Sequence, residues 1–395
     1  MAIMKDRKAI GRALQKTLRD GAKSVLLLGP RQVGKSTLIS SLNPDLSINL
    51  NNESSFLRFK SNPNELEEMI DAVRPKTVFV DEIQRHPELL NTIQVIIDDA
   101  KLSKTVERRD IRFFLTGSSA RKLKRGQANL LPGRVLSYRL GPLSAAELGY
   151  ELDVARALKI GCLPEPYCGA SLSESMKLLS SYSGTYLKEE IQAEAITRSL
   201  DGFSRFLMSA GANSGQAIDF SKLAKQAKIE RKMCTRFYEI LEDTLIAYRV
   251  DVFAETDADI VRRPKYFFFD VGVLNGLLEN FVSSDDRKGI LFEHLVVNQL
   301  VNTSQAFDRP LKLHYFRTRA GYEVDLIIQL DGKSYAIEIK SGYADVSDAK
   351  KLKQIDRLLK TELSGHYLVV PDGPSRNLAG VKLRSLNVFL KEIFR

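Results

Sequence analysis

The chain has 395 residues and a formal net charge of +10, with 44% hydrophobic and 27% charged residues. This length exceeds one ordinary core, so we expect two to four domains in a globular chain. No apolar run approaches the ~20 residues that span a bilayer, and three scattered cysteines argue against a disulfide framework. The composition predicts a cytoplasmic protein without membrane segments. Its charge favours a polyanionic partner such as nucleic acid, or a membrane surface, although a solvated lysine-rich surface explains that charge equally well.

The first part of the chain, residues 1–150, alternates apolar runs with helical patterns. Its first segment predicts an amphipathic helix, rather than a signal peptide, with one side formed by Ile3, Ile10, Leu14 and Leu18. The apolar runs that predict strands span residues 25–28, 47–50, 77–80 and 111–115. Strands alternating with helices predict an α/β domain with a parallel sheet, and such sheets bind ligands at the carboxyl ends of their strands.

A phosphate-binding loop follows the first of these strands. Gly29 and Gly34 allow a tight wrap, so that backbone N–H groups and the helix beginning near Lys35 face phosphates. Lys35 then reaches the β- and γ-phosphates, and the Ser36 hydroxyl ligates Mg²⁺. The predicted nucleotide-binding residues are Gly29, Pro30, Arg31, Gln32, Val33, Gly34, Lys35, Ser36 and Thr37. The sequence therefore predicts a site for ATP and Mg²⁺, with an ordinary glycine-rich turn as the alternative.

Candidate catalytic side chains follow the third and fourth predicted strands. Asp81 and Glu82 form a Walker B pair, in which Asp81 holds Mg²⁺ and Glu82 orients the attacking water. Thr116, or Ser118 as second choice, is placed to sense the γ-phosphate, and an ordinary polar turn is the alternative. Arg134 is the first candidate for an arginine finger, within the subunit or across a homo-oligomer, although a surface arginine is simpler. The other basic residues of this stretch are Arg121, Lys122, Lys124 and Arg125.

Several segments resemble a large group of prokaryotic AAA+ ATPases that carry a C-terminal domain of unknown function. In order, they are GPRQVGKSTL, VFVDEIQR, FLTGSSARKL, LLPGRV and LGPLSAAEL, followed by GCLPEPY, PKYFFFDVGV, LFEHLVVNQL and YEVDLIIQL with AIEIKSG. The resemblance spans nearly the whole chain and implies an AAA+ core that binds and hydrolyses ATP. The chain departs from it at Ser36, where threonine is common, and at Asn51–Asn52, where the strand end is commonly acidic.

The middle of the chain, residues 151–275, predicts a helical segment followed by a winged helix. Two helices around a turn at residues 228–229 precede two β-rich segments, at residues 245–253 and 264–269. Basic residues lie in the first half of the second helix, the half that enters the major groove in helix-turn-helix proteins. The candidates for DNA or RNA contact are Lys228, Arg231, Lys232 and Arg236. A packing or protein-contact role is the alternative.

The last part, residues 276–395, contains a predicted β-hairpin with charged residues on one face. The Asp331-Gly332 dipeptide predicts a two-residue turn that pairs Leu330 with Lys333. This register sets Asp325 opposite Glu338, and two directly opposed carboxylates repel one another. A divalent metal ion would neutralise them and serve catalysis.

Asp325 followed by Glu338-x-Lys340 resembles the active site of PD-(D/E)xK nucleases. The resemblance implies that Asp325, Glu338 and the helical Glu293 bind Mg²⁺, while Lys340 positions water or stabilises charge. The Pro-Asp dipeptide of that motif is absent, because a valine precedes Asp325. One alternative is a nuclease-like fold that has lost activity and binds a partner. Another is a charged face with a Glu323–Lys340 pair and a slipped register.

These predictions combine into an AAA+ core, a helical and winged-helix middle, and a nuclease-like end. The leading interpretation is an ATPase whose hydrolysis is coupled to the binding or processing of nucleic acid, DNA more than RNA. Genome defence and mobile-element biology are the settings that fit it. The second interpretation is an ATP-dependent switch whose inactive nuclease-like domain binds a protein partner.

Overall fold

A parallel sheet forms the centre of residues 11–140 in the computed structural model, which describes residues 10–102, 111–118, 131–169, 171–186 and 200–395. Residues 243–245 complete this compact unit. Its strands are β1 (Ser24–Leu28), β2 (Leu46–Asn49), β3 (Thr77–Asp81), β4 (Arg112–Gly117) and β5 (Val135–Arg139). In the described ranges they pair in the order β2-β3-β4-β1-β5, all in parallel. The predicted parallel sheet is confirmed, and β5 extends it beyond the four predicted strands.

Helices pack against this sheet, and every residue of β1 is buried, as expected for a strand covered on both faces. The helices are α1 (Leu14–Asp20), α2 (Lys35–Ser40), α3 (Glu53–Ser61), α4 (Glu65–Val73) and α5 (Leu89–Leu102). Helix α1 lies in the predicted N-terminal helix, and its Leu14 and Leu18 are buried. Residues 1–9, which include Ile3, lie outside the described ranges.

The second compact unit, residues 141–242 and 246–395, contains a larger mixed sheet. Its strands are β6 (Ala247–Val252), β7 (Lys265–Phe268), β8 (Leu311–Arg317), β9 (Glu323–Leu330), β10 (Lys333–Ile339), β11 (Gly365–Val370), β12 (Arg376–Leu378) and β13 (Val381–Ser385). The order in the described residues is β12-β13-β11-β10-β9-β8-β6-β7. The β9–β10 hairpin has the predicted register, from Lys333 opposite Leu330 to Ile337 opposite Leu326. The paired run therefore ends one position before Asp325 and Glu338.

Helices of this unit precede, flank and follow the sheet. They are α6 (Val154–Ile160), α7 (Pro164–Cys168), α8 (Leu172–Ser181), α9 (Leu200–Ala212), α10 (Phe220–Ala227), α11 (Arg231–Asp243), α12 (Val271–Leu277), α13 (Asp285–Ala306), α14 (Val346–Leu352) and α15 (Leu386–Ile393). Across the described part of both units, no helix combines the length and apolar character that crossing a membrane requires.

The two strands predicted as a wing do not stand apart from the rest of the unit. Helices α10 and α11 form as predicted, and β6 and β7 pair antiparallel. However, β6 also pairs in parallel with β8, at Val252 opposite Tyr315. The hairpin is therefore one edge of the larger sheet, because backbone groups that a free wing leaves open are bonded to β8. The predicted boundary at residue 275 falls inside this compact unit, and the division into three domains stays a prediction.

A buried aspartate connects two segments that carry the AAA+ resemblance. Asp270 accepts hydrogen bonds from the backbone N–H groups of Cys162 (2.6 Å) and Val273 (3.0 Å), and it caps α12. Gly161 has φ +65°, and a Cβ there would lie 1.9 Å from the Asp270 carboxylate. Complete burial raises the pKa of Asp270 to about 6. These contacts give the aspartate of FFFDVG a structural role.

Replacing Asp270 with alanine should lower the free energy of unfolding by about 2–4 kcal/mol, because a helix cap is lost and buried N–H groups lose their acceptor. Urea denaturation of the full chain measures this change. The control is Asp257→Ala, which removes a carboxylate whose side chain is 86% exposed and should barely move the midpoint. Equal midpoints for the two variants would contradict the structural role.

Candidate functional site

The predicted phosphate-binding loop connects β1 to α2. Gly29 has no room for a side chain, because a Cβ would lie 2.1 Å from the carbonyl oxygen of Leu140. Gly34 and Gln32 have φ values of +92° and +61°, the left-handed conformation that tightens a turn. Helix α2 begins at Lys35, where the sequence predicted it.

The Lys35 side chain folds back onto this loop. Its Nζ donates to the carbonyl oxygens of Gly29 (2.8 Å) and Pro30 (2.9 Å), and the residue is 4% exposed. Arg12, which precedes α1, supports the loop from outside by donating from Nη1 to the carbonyl oxygen of Val33 (2.6 Å). Sequence patterns gave no signal for Arg12, because it lies before the motif and outside any regular spacing.

Hydroxyl groups from two elements converge on the first Walker B carboxylate. Ser36 Oγ donates to Asp81 Oδ1 over 2.8 Å, and the Thr116 hydroxyl donates to the same oxygen. Thr116 Oγ1 also accepts from the backbone N–H of Glu82 (3.1 Å). Strand β4 lies between β1 and β3, which places Thr116 beside Asp81. Hard oxygen ligands of this kind suit Mg²⁺, so Ser36 and Asp81 fit the predicted ion.

The second Walker B carboxylate is held by a glutamine that the sequence analysis did not single out. Glu82 is 5% exposed and has φ +58°, a backbone conformation that costs a non-glycine residue roughly 1–2 kcal/mol. Gln84 Nε2 donates to Glu82 Oε2 and to Ser118 Oγ (3.0 Å). Ser118, the second sensor candidate, is thus linked to Glu82 through Gln84. The glutamine at the fourth position of the Asp-Glu-x-Gln run was the available signal.

Arg134 is paired with an aspartate of its own unit. Its Nε and Nη2 donate to the two carboxylate oxygens of Asp98 on α5, each over 2.7 Å. This bidentate pair engages the guanidinium within its own unit, and the arginine-finger role stays a prediction. The other basic candidates, Arg121, Lys122, Lys124 and Arg125, lie outside the described residues.

The predicted nucleic-acid surface is exposed. Lys228 ends α10 with a left-handed backbone (φ +52°), and the other three candidates lie at exposed positions of α11. Those three are Arg231, Lys232 and Arg236. Their geometry permits contact with a polyanion, and contact with DNA or RNA stays a prediction.

The predicted carboxylates of the second unit lie close enough to influence one another. Asp325 on β9 is buried, and its Oδ2 accepts a hydrogen bond from the backbone N–H of Ile339 (2.7 Å). Burial, together with the charges of Glu338 and Glu293, raises the pKa of Asp325 well above its usual value. Burial likewise raises the pKa of Glu293 on α13, although the ammonium group of Lys265 opposes this shift.

Two lysines neutralise this carboxylate cluster. Lys265 of β7 is 5% exposed, and its Nζ lies 3.1 Å from Glu293 Oε1 and 3.2 Å from Glu323 Oε1. Lys340 Nζ lies 3.1 Å from Glu338 Oε1 and also contacts Asp348 of α14 (3.2 Å). Burial alone would lower the pKa of Lys265, but the neighbouring carboxylates raise it above the ordinary value.

The carboxylates do not form a metal site in this arrangement. Within the described ranges, no three His, Cys, Asp or Glu side chains are placed to hold a metal ion. Glu293 and Glu338 each bind an ammonium group instead, and Mg²⁺ ligation by Glu293, Asp325 and Glu338 stays a prediction. The alternative Glu323–Lys340 pair is not formed, because Glu323 contacts Lys265 and Arg317 (3.5 Å).

A protein-family model matches most of the first unit. Residues 21–149 match the family model of an AAA domain. They form an AAA-type P-loop ATPase domain. After this AAA domain, residues 151–284 and 288–382 match two domains of unknown function, DUF8612 and DUF4143. The predicted AAA-type P-loop ATPase is therefore confirmed at the level of the family, whereas the winged helix and the nuclease-like domain stay predictions.

Individual relatives are distant. An uncharacterized protein of Mycobacterium tuberculosis is 26% identical over 327 residues, which are 81% of this chain and 70% of that protein, and one of Mycobacterium bovis matches equally. Among solved structures, the Walker-type ATPase of Pyrococcus abyssi matches 69% of this chain and 95% of its own, at 17% identity and a TM-score of 0.43. The replication initiator DnaA bound to AMPPCP and single-stranded DNA matches 58% of this chain and 85% of its own, at 10% identity and a TM-score of 0.25.

Proposed function

We propose that the AAA domain binds and hydrolyses ATP with Mg²⁺, and that this cycle controls nucleic-acid binding by the second unit, with DNA preferred over RNA. The observation that carries the proposal is the meeting of a phosphate loop, a hydroxyl–carboxylate pair and a buried glutamate at one sheet edge. The residues concerned are Lys35, Ser36, Asp81, Glu82 and Thr116. Each supplies one of the groups that phosphoryl transfer to water requires.

In the proposed reaction, the Lys35 ammonium leaves its two loop carbonyls for oxygens of the β- and γ-phosphates. Ser36 and Asp81 would hold Mg²⁺, which would supply positive charge to balance the phosphates. Thr116 keeps Asp81 in position by its hydrogen bond. Glu82 orients the attacking water and accepts its proton, while the water oxygen bonds to the γ-phosphorus and the bond to the oxygen that leaves with ADP breaks. The buried position of Glu82, held by Gln84, keeps this base in place before the water arrives.

For the second unit we infer binding of nucleic acid without cleavage. The net charge of +10 favours a polyanion. Two of the three predicted metal ligands, Glu293 and Glu338, are paired with Lys265 and Lys340, which argues against a preformed metal site. The function we propose for the second unit is therefore binding alone.

ATP hydrolysis by the purified full chain, with and without duplex DNA, tests the proposal. We expect turnover that DNA alters, and we expect Lys35→Ala to abolish it. Incubation of the same protein with DNA and Mg²⁺ or Mn²⁺ should leave the DNA intact, and an Asp325→Ala variant shows whether any cutting belongs to this site. Absence of ATP turnover, or copurification of a stoichiometric protein without nucleic acid, would overturn the proposal in favour of another ligand or a protein-binding switch.

A further inference from the structure

A cavity of about 920 Å³ opens in the second unit next to the carboxylate cluster. Lys265 and Glu323 belong to both, so the cavity and the cluster are continuous. Five cationic and two anionic side chains line the cavity. They are Arg262, Arg263, Lys265, Arg317 and Arg319, with Asp259 and Glu323. The lining is therefore strongly positive.

Backbone pairing holds these arginines around one space. The segment that connects β6 to β7 pairs with the end of β8, at Ile260 opposite Thr318. The N–H of Val261 donates to the carbonyl oxygen of Arg317 (3.0 Å), and the N–H of Arg319 donates to that of Asp259 (2.8 Å). Arg262 and Arg263 follow this hydrogen-bonded segment directly. The β6–β7 connection and the end of β8, which are distant in sequence, thus place their guanidinium groups around the same cavity.

Most of these cationic side chains are available to a ligand. Arg262 is exposed and has no ion-pair partner among the residues that the structure describes. Arg319 contacts Asp259 over 3.3 Å, but both side chains are 72% exposed, and such surface pairs contribute little. Arg263 and Arg317 are also paired at the surface, with Asp219 and Glu323. Lys265 is the exception, because it is buried against Glu293 and Glu323.

We propose that this arginine cavity binds the phosphate backbone of nucleic acid. The inference rests on the proposed nucleic-acid function and deepens it by assigning the contact to this cavity instead of the exposed side of α11. Guanidinium groups bind phosphate oxygens in bidentate geometry, which makes arginine the side chain of choice for this ligand. Four surface guanidinium groups offer more donors than one phosphate group accepts, so several successive phosphates fit better than a free anion.

A double variant, Arg262→Ala/Arg319→Ala, tests the inference with little risk to the fold, because both side chains are exposed. The matched control is Lys312→Ala/Lys333→Ala, which removes two exposed charges near the N-terminal ends of β8 and β10, whereas Arg317 lies at the C-terminal end of β8. Binding of a short fluorescent DNA duplex is followed by anisotropy over a range of salt concentrations. We expect the cavity variant to bind about tenfold more weakly or worse, with a salt slope reduced by about two. The control should stay near the wild type.

A third variant, Arg231→Ala/Lys232→Ala/Arg236→Ala, separates the two candidate surfaces. A cavity variant that binds DNA with the affinity and salt slope of the wild type overturns the inference. Nucleic acid would then bind at another surface of the protein. Wild-type protein that binds no DNA at any salt concentration overturns both the inference and the proposed nucleic-acid function. ATP turnover without DNA should be the same in the cavity variant and its control, because the substituted residues all lie outside the AAA domain.

Discussion

Glu82→Gln is expected to lower ATP turnover by about a hundred- to ten-thousandfold, the usual contribution of a general base. The amide has nearly the shape of the carboxylate but cannot take a proton from water. Lys35, Ser36 and Asp81, which the substitution leaves in place, still bind the phosphates and Mg²⁺. Nucleotide affinity should therefore change little. Phosphate release measures the turnover, and binding of a fluorescent ATP analogue measures the affinity.

Glu88→Gln is a matched control for this variant, because it makes the same change in the same unit at a side chain that is 65% exposed. Its turnover should equal that of the wild type. If Glu82→Gln retained turnover within about tenfold of the control, Glu82 would not be the general base. Loss of nucleotide binding together with turnover would also contradict the argument, since it would indicate damage to the loop through the Glu82–Gln84 contact.

Local patterns were sufficient for most of the AAA domain. The phosphate loop is contiguous in sequence, and parallel strands bring their carboxyl ends to one edge, so the pattern alone predicts Asp81 and Thr116 at the edge that carries Lys35. The contact of Gln84 with Glu82 was not predicted, because it depends on the left-handed backbone of Glu82. The spacing of residues in the sequence does not predict that backbone conformation. Arg134 was predicted as an arginine finger from its place in a basic stretch after the fourth strand, and that role stays a prediction. Its ion pair with Asp98, on a helix 36 residues earlier in the chain, was not predicted.

In the second unit, local patterns predict the hairpin but not the long-range strand pairing. The Asp331-Gly332 turn determines the hairpin register, and that register is confirmed from Lys333 to Ile337. The neutralising role of Lys265 was not foreseeable, because it depends on β6 joining β8 in parallel. A hairpin with two helices before it has the same local pattern whether it stands free or completes a larger sheet. Long-range pairing of this kind leaves no periodic signal in the sequence.

Lys265→Met should lower the free energy of unfolding by about 3–5 kcal/mol at neutral pH, the usual cost of removing one partner from a buried ion pair. Methionine fills nearly the same volume, so loss of the charge is the main change. Glu293 and Glu323 lose the ammonium group that lies 3.1 and 3.2 Å away. Urea denaturation of the full chain measures the difference. The control is Lys382→Met, whose side chain is 48% exposed and lies 4.0 Å from its carboxylate partner, and it should differ from the wild type by less than about 1 kcal/mol.

The pH dependence of this variant tests the charge argument separately from packing. The pKa values of Asp325 and Glu293 are already raised in the folded chain, and loss of Lys265 removes a charge that opposes this shift. The folded state then binds more protons than the unfolded state, so stability falls as pH rises from about 4 toward neutrality. The deficit against the wild type should accordingly be smallest in acid. A deficit that stays constant with pH would indicate a packing defect, and no deficit at any pH would show that Lys265 does not neutralise the cluster. Stabilisation of the variant, but not of the wild type, by Mg²⁺ would mean that the ammonium group occupies the position a divalent ion would otherwise take.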